Sequence, residues 1–453
     1  MKIVAVVLSV FALGGAVAAE ESRAAAACGL GAVTPIAQPT AAQMAAAGLD
    51  GLPVAPAARR VDLVAPVFSD STSVTNPLFP ISRLESVVLN GRVDGKPFRT
   101  ETTLLGDTRV IEWSPGQCVR TLVSQYVAYL DGRIQEVALD FYAQADDGSV
   151  WYFGEDVFNY RRGVVGDTSG TWLAGKEGPA AMIMPAAPRV GDVHRPENIP
   201  GLVWEEVAVK AIGETVTGPR GPVAGVLVGG ELHDDGTFSD KLFAPGYGDF
   251  ESAHEGDLEA LALAVPVDAL PGPIPPELRR LSDGANAAFR AASSRRWGRA
   301  AASARAAGAA WQAHRAGGVP PRLVRPVSRA LAALARALER RRGLSARNAA
   351  LDLAQSSLDL ELQHRPAVEI DRARFDLWAR QVSVDASAQR AAAVDGDVAT
   401  LEWIRDRIAR AFDSVDVTRL DTLLEELRAN ANDRDFARAA RGAAGLRRLL
   451  AHR

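Results

Sequence analysis

Glu361-Leu-Gln-His364 places a carboxylate and an imidazole one helical turn apart, the unit that carboxylate-bridged metal sites in helical bundles repeat. Asp352 and Asp359 fall on one face of the same predicted helix, and Glu369, Asp371 and Asp376 follow on the next. A di-metal site of that kind needs a second Glu-x-x-His, and the chain has none. His364 also precedes Arg365-Pro366 in a last turn, where an imidazole suits the negative end of a helix. Two readings stand: a metal-handling bundle using Asp352, Asp359, Glu361 and His364, or a structural histidine. A second constellation lies in a predicted β-hairpin. Asp140, Tyr142 and Gln144 share one face of a strand, and Leu139, Phe141 and Ala143 share the other. With Trp151, Glu155 and Asp156 nearby, that polar face is the candidate wall of a ligand site. It reads equally as the solvated face of an ordinary hairpin. Asp140 with Glu155 is also a candidate carboxylate pair for hydrolysis, provided both face one cleft.

Other catalytic signatures are missing: no Gly-x-Ser-x-Gly, His-Glu-x-x-His, P-loop or dinucleotide fingerprint occurs. His194, His233 and His254 are spread over the predicted strands and meet only if the fold brings them together. Neither cysteine, Cys28 nor Cys118, belongs to a Cys-x-x-Cys, and the two could pair in an oxidising compartment.

The elements that must position these residues fall into two halves. From 76 to 265, short runs alternate with period two, among them Leu84–Val93, Phe98–Leu105, Arg109–Trp113 and Gln135–Ala145. Asp94-Gly95, Asp131-Gly132, Asp146-Asp147-Gly148 and Asp234-Asp235-Gly236 punctuate them as turns. Hairpins without intervening helices predict an antiparallel meander curled into a β barrel or half-barrel. Residues 266–276 carry prolines at 266, 271, 273, 275 and 276 and read as a semi-rigid spacer. Over 277–453 the period becomes 3.6, and seven helices are predicted, the first spanning 277–314. Short connections predict an α-helical bundle. No internal repeat of fixed period stands out, which ranks a solenoid second.

Four motifs in order carry a resemblance: Asn76-Pro-Leu-Phe-Pro80, the hairpin Tyr142-Ala-Gln-Ala-Asp-Asp-Gly-Ser-Val-Trp-Tyr-Phe-Gly-Glu-Asp156, Met182-Ile-Met-Pro-Ala-Ala-Pro-Arg-Val-Gly-Asp192 and Phe243-Ala-Pro-Gly-Tyr-Gly248. Over about 76–265 the chain resembles a family of secreted or lipid-anchored bacterial β-rich proteins. The resemblance implies an extracytoplasmic β module and carries over no catalytic residues. The family's aromatic opening strand is replaced here by Leu84-Glu-Ser-Val-Val88.

Met1-Lys2, the apolar run Ile3 to Leu13 and Ala16-Val17-Ala18 read as a signal peptide over 1–19. Export to the periplasm or outside follows, as a soluble protein. Ala25-Ala26-Ala27-Cys28 is a poor lipid-anchor site, since Glu20, Glu21 and Arg23 separate it from the apolar run. Residues 20–75 read as a low-complexity lead. The net charge of −4 hides a division. Residues 20–276 hold 18 Lys and Arg against 34 Asp and Glu, whereas 277–347 hold 16 Arg against Glu277, Asp283 and Glu339. Helices 277–347 therefore dock on the acidic β domain, present a solvated face or meet an anionic surface, and export speaks against nucleic acid as the partner. The function expected is a non-catalytic binding or scaffold protein of the envelope, its β domain meeting a small molecule or an envelope protein. The alternative is metal handling by the bundle, with carboxylate hydrolysis third. The sequence names no cofactor.

Overall fold

The computed structural model describes residues 35–451. The predicted signal peptide and Cys28 lie outside them. Cys118 is disulfide-bonded.

Fourteen strands form one antiparallel sheet: β1 (Ser86–Val93), β2 (Lys96–Ser114), β3 (Gln117–Leu130), β4 (Arg133–Gln144), β5 (Val150–Arg161), β6 (Val164–Asp167), β7 (Trp172–Leu173), β8 (Ala181–Met184), β9 (Val193–Ile199), β10 (Val203–Gly218), β11 (Gly221–His233), β12 (Phe238–Ala244), β13 (Gly248–His254) and β14 (Asp257–Val265). The predicted strands 98–105 and 109–113 are one strand, because Gly106-Asp107 makes a bulge against β3 rather than a turn.

The sheet is open and not strongly curled, which corrects the barrel or half-barrel expected from the hairpin pattern. Its path runs β6-β5-β4-β3-β2-β1-β14-β13-β12-β11-β10-β9, and no pairing joins the ends. Closure requires the two end strands to pair, and here each end is partly engaged by other segments instead. The outer edge of β5 is tiled by β8 at Val150–Tyr152, β7 at Gly154–Glu155 and β6 at Asn159–Arg161. Gly154 (φ +120) admits this, since a Cβ there would stand 2.2 Å from the Trp172 carbonyl oxygen. The free edge of β9 is met by the lead, where Arg60 bridges Val193 and the Val61 N–H donates to the Val193 carbonyl.

The lead is therefore part of the fold from residue 35 onward. A short helix, α1 (Ala41–Ala46), is capped at Thr40 by reciprocal hydrogen bonds with Gln43. Leu49 packs with Trp204 and Leu232, while Ile36, Val61 and Phe68 cover the Trp113, Phe141 and Trp151 cluster. Val74, Leu78 and Ile81 cross the other face, against Leu122, Val150, Val209, Leu227 and Phe243.

After β14 come α2 (Pro276–Ser293), α3 (Trp297–Ala316), α4 (Pro321–Glu339), α5 (Gly343–Glu361), α6 (Ala367–Ser387), α7 (Ala391–Ile408), α8 (Ser414–Asn432) and α9 (Phe436–Ala451). The predicted helix 277–314 is two helices, broken where Arg295 takes a left-handed φ of 54°. Arg341, Gln389 and Arg434 hold the same conformation at the turns α4/α5, α6/α7 and α8/α9, so a helical hairpin recurs every 45–48 residues. That recurrence was invisible in the sequence because these turns use Arg or Gln where glycine is usual. Neighbour contacts make two squares, α2-α3-α4-α5 and α6-α7-α8-α9, joined through α5 and α6. The helical half is thus two up-down four-helix groups with separate cores, one around Leu281, Trp311 and Leu334, the other around Val398, Leu424 and Leu446.

Candidate metal centre

Register decides which side chains share a face, since directly paired residues point the same way. Asp140 pairs with Glu155, Tyr142 with Tyr152, Ser252 with Glu259, Glu205 with both Glu197 and His233, and Glu231 with Ser239. These residues lie on one face of the sheet. The neighbouring residues on the same strands lie on the other face.

At the solvent end of that polar face, β10, β11 and β12 assemble a compact group. The His233 Nδ1 is 3.0 Å from a Glu205 carboxylate oxygen, and its Nε2 is 2.9 Å from the Ser239 hydroxyl. Ser239 donates onward to Glu231 at 3.0 Å. One ligand atom from each of Glu205, Glu231 and His233 lies within 4.8 Å of the others; among the described residues no other such group of three occurs. Glu231 and His233 line a cavity of about 460 Å³ whose wall also includes Phe98, Ser252, His254, Asp257 and Glu259, with Glu205 behind His233. The rings of His233 and His254 are 5.5 Å apart, edge to face. The fold therefore brings together two of the three strand histidines. His194 is buried elsewhere on β9, where burial lowers its imidazole to about 4.

Charge around the group is unbalanced. The hydrogen bond to Glu205 raises His233 above the usual imidazole range. Burial raises Glu231, despite Lys241 at 3.5 Å. Glu197 is pushed to about 8 by burial and then by Glu205, and Glu259 to about 7 by burial. Burial works against the Lys241 ammonium, but Asp249, Glu231 and Glu205 outweigh it and hold its pKa well above the ordinary value. Protons stored on carboxylates are what a dication would displace.

The hairpin residues divide between the faces. Asp140, Tyr142 and Glu155 stand on the polar face, deeper than the cavity wall. The Tyr152 hydroxyl donates to Asp140 at 2.7 Å, and the rings of Tyr142 and Tyr152 stack at 4.8 Å. Burial raises both Asp140 and Glu155, and the Asp140 charge raises Glu155 further. The Gln144 amide oxygen accepts from the Thr75 and Asn76 N–H groups, which ties the lead to the hairpin. Trp151 and Asp156 point to the opposite face. Trp151 is fully buried and donates to Ser149; Asp156 pairs with Arg109 at 2.9 Å. Neither Asp140 nor Glu155 lines the cavity.

The bundle constellation does not assemble. Asp359 is held by Arg99 at 2.7 Å and Arg374 at 2.9 Å, while Glu361 accepts from Ser282 and pairs with Arg365 at 2.9 Å. His364 lies past the end of α5, and burial lowers its imidazole. Arginine already neutralises two of the four supposed ligands: Asp359 meets Arg99 of the sheet and Arg374 of the next helix, and Glu361 meets Arg365 of its own turn. The signal for the group on the sheet was partly legible: Glu231-x-His233 places a carboxylate and an imidazole on one face of a strand. Glu205 enters only through the β10–β11 register.

No family model matches the chain, and no curated protein sequence is similar to it.

Proposed function

We propose that the protein is an exported metal-handling protein that holds a divalent transition ion between Glu205, Glu231 and His233. The observation that carries this reading is the convergence of three ligand atoms within 4.8 Å at the mouth of a cavity. One imidazole and two carboxylates suit ions of the Zn²⁺, Mn²⁺ or Fe²⁺ type. Ser239 supplies the outer support such sites use: it stands 2.9 Å from the His233 Nε2 and donates to Glu231, so that an ion replacing the Nδ1 proton shared with Glu205 would leave the Nε2–H to Ser239. Cavity space beside the group leaves a coordination position for water or a second ligand.

The test is titration calorimetry of the purified chain with Zn²⁺ and with Mn²⁺, beside His233→Ala and Glu205→Gln. One ion per chain is expected, with each variant weakening it at least tenfold. Because the ligands bind deprotonated and His233 is raised, affinity should fall as pH drops through the imidazole range. Binding that is unchanged in both variants would refute the site.

A second reading, a non-catalytic envelope protein that binds a small molecule, is favoured by the cavity's size. About 460 Å³ far exceeds the volume of a bare ion. Native mass spectrometry of protein from its own host separates the two: a metal-only mass supports the first reading, a co-purifying organic mass the second.

A further inference from the structure

Few of the arginines of 277–347 bond the acidic sheet. Of the sixteen, Arg322 bonds the sheet, at Glu251. Fourteen are exposed, and two turns gather them in space. The α2/α3 turn brings Arg295, Arg296 and Arg299; the α4/α5 turn brings Arg340, Arg341 and Arg342. Up-down topology puts both turns at the same end of the first four-helix group. Their contact is direct: a Cβ on Gly343 would stand 3.7 Å from the Trp297 ring. Six exposed guanidiniums thus surround a half-buried tryptophan. None of the six makes an ion pair or a side-chain hydrogen bond with a described residue, and Glu339 is the exposed acid within these turns.

The second four-helix group is an internal control. Its matching turns hold Gln389 and Arg434 in the same left-handed conformation. There Arg434 is neutralised by Asp395 at 2.7 Å and Arg390 by Asp385 at 3.2 Å. The same hairpin is charge-balanced in one group and left unbalanced in the other. A left-handed turn position is served best by glycine, so arginine at 295 and 341 is not explained by the turn. Unpaired guanidiniums are suited to phosphate oxygens. A tryptophan among them, with part of its ring exposed, adds the side chain enriched where headgroups meet acyl chains. No described helix is long and apolar enough to cross a membrane, so attachment here would be peripheral.

We propose that this end of the first four-helix group is a docking surface for an anionic phospholipid membrane. The proposal is independent of the metal centre.

The test is co-sedimentation of the full chain with vesicles of phosphatidylglycerol and phosphatidylcholine in equal parts, and with pure phosphatidylcholine vesicles. Binding to the anionic vesicles alone is expected. The variant Arg295→Gln/Arg296→Gln/Arg340→Gln/Arg341→Gln should lose it. Roughly 1 kcal/mol per arginine near an anionic surface corresponds to about fivefold each, or several hundredfold for four. Glutamine already occupies the matching turn at 389, so this variant keeps its fold. A charge-matched control, Arg279→Gln/Arg305→Gln/Arg315→Gln/Arg325→Gln, changes arginines away from this end and should retain most of the binding. Equal losses in the two quadruple variants would show a diffuse charge effect and overturn the localised surface. Binding to soluble polyphosphate without binding to vesicles would overturn the membrane assignment.

Discussion

Consecutive residues of β2 meet opposite worlds. Thr100 points to the polar face and donates to Glu259, a carboxyl that burial raises to about 7. Glu101 points to the helical side, 1% exposed, among Arg99, Arg374 and Arg407. Burial alone would raise Glu101 too, but Arg374, Arg99 and Arg407 outweigh it and hold it well below the carboxylate range. The helical face continues in the same manner. Arg99 and Arg374 share Asp359; Arg133 bonds Asp385 and Asp397 at 2.8 Å each; Arg407 donates to Gln125, whose amide donates to the Trp403 carbonyl. Two faces of one sheet thus bury carboxylates under opposite rules. On one, arginines from both sheet and helices match them and the result is an interface. On the other, carboxylates crowd one another around Lys241, and burial raises them. Burial does not distinguish a structural acid from a functional one; the identity of its neighbours does.

The contrast breaks most visibly at Glu101. Glu101→Gln strands buried guanidiniums without their anion, and loss of one partner of such a network costs about 3–5 kcal/mol. Urea unfolding should show that loss at neutral pH; an unchanged midpoint would mean that the network contributes nothing to docking.

Glu197→Gln sharpens the other side. A carboxyl raised when folded favours the folded state at low pH and loses that contribution as pH rises through its folded value, here about 8. Thermal unfolding of the variant should match the parent near pH 5 and exceed it by several degrees near pH 9. Glu101 has the opposite sign: its contribution is present above the ordinary carboxylate range and is lost only in strong acid. A parent whose melting temperature does not decline between pH 7 and 9 would refute the raised values on the polar face.

The smallest effect is expected at an aromatic contact within the interface. Tyr129 stacks on Trp378 at 5.6 Å and 17°, and Tyr129→Leu should cost about 0.5–1.5 kcal/mol by removing that stack. A larger loss would place more of the docking in aromatic contact than in the ion network.

Several parts of this arrangement were legible early because they depend on near neighbours. The Asp146-Asp147-Gly148 turn formed as its residues dictate, with Ser149 bonded to Asp147 and Gly148 at φ +93°. The proline run ended the sheet at Val265 and opened α2 at Pro276. Alternation along β4 sorted Asp140 and Tyr142 from Phe141 and Ala143. It failed one strand away, because the bulge at Gly154 shifts the register of β5 and sends Asp156 to the far face. Glu-x-x-His misled for a different reason: helical spacing puts Glu361 and His364 on one face, but it does not show that α5 ends at Glu361 or that Ser282 and Arg365 take up its carboxylate.

What the sequence by itself determined is therefore the local grammar: antiparallel strands, a proline boundary, helices after it, and an excess of arginine in the first four of those helices. Turn preference and periodicity act over a few residues and need no partner. Only the tertiary structure decided that the sheet stays open, which carboxylates keep a proton, and which arginines stay unpaired. Those outcomes depend on groups brought together from far apart, as Glu101 is to Arg407 across 306 positions. The ionisation of a buried acid is set by the charges within a few ångströms of it, and no local pattern specifies those.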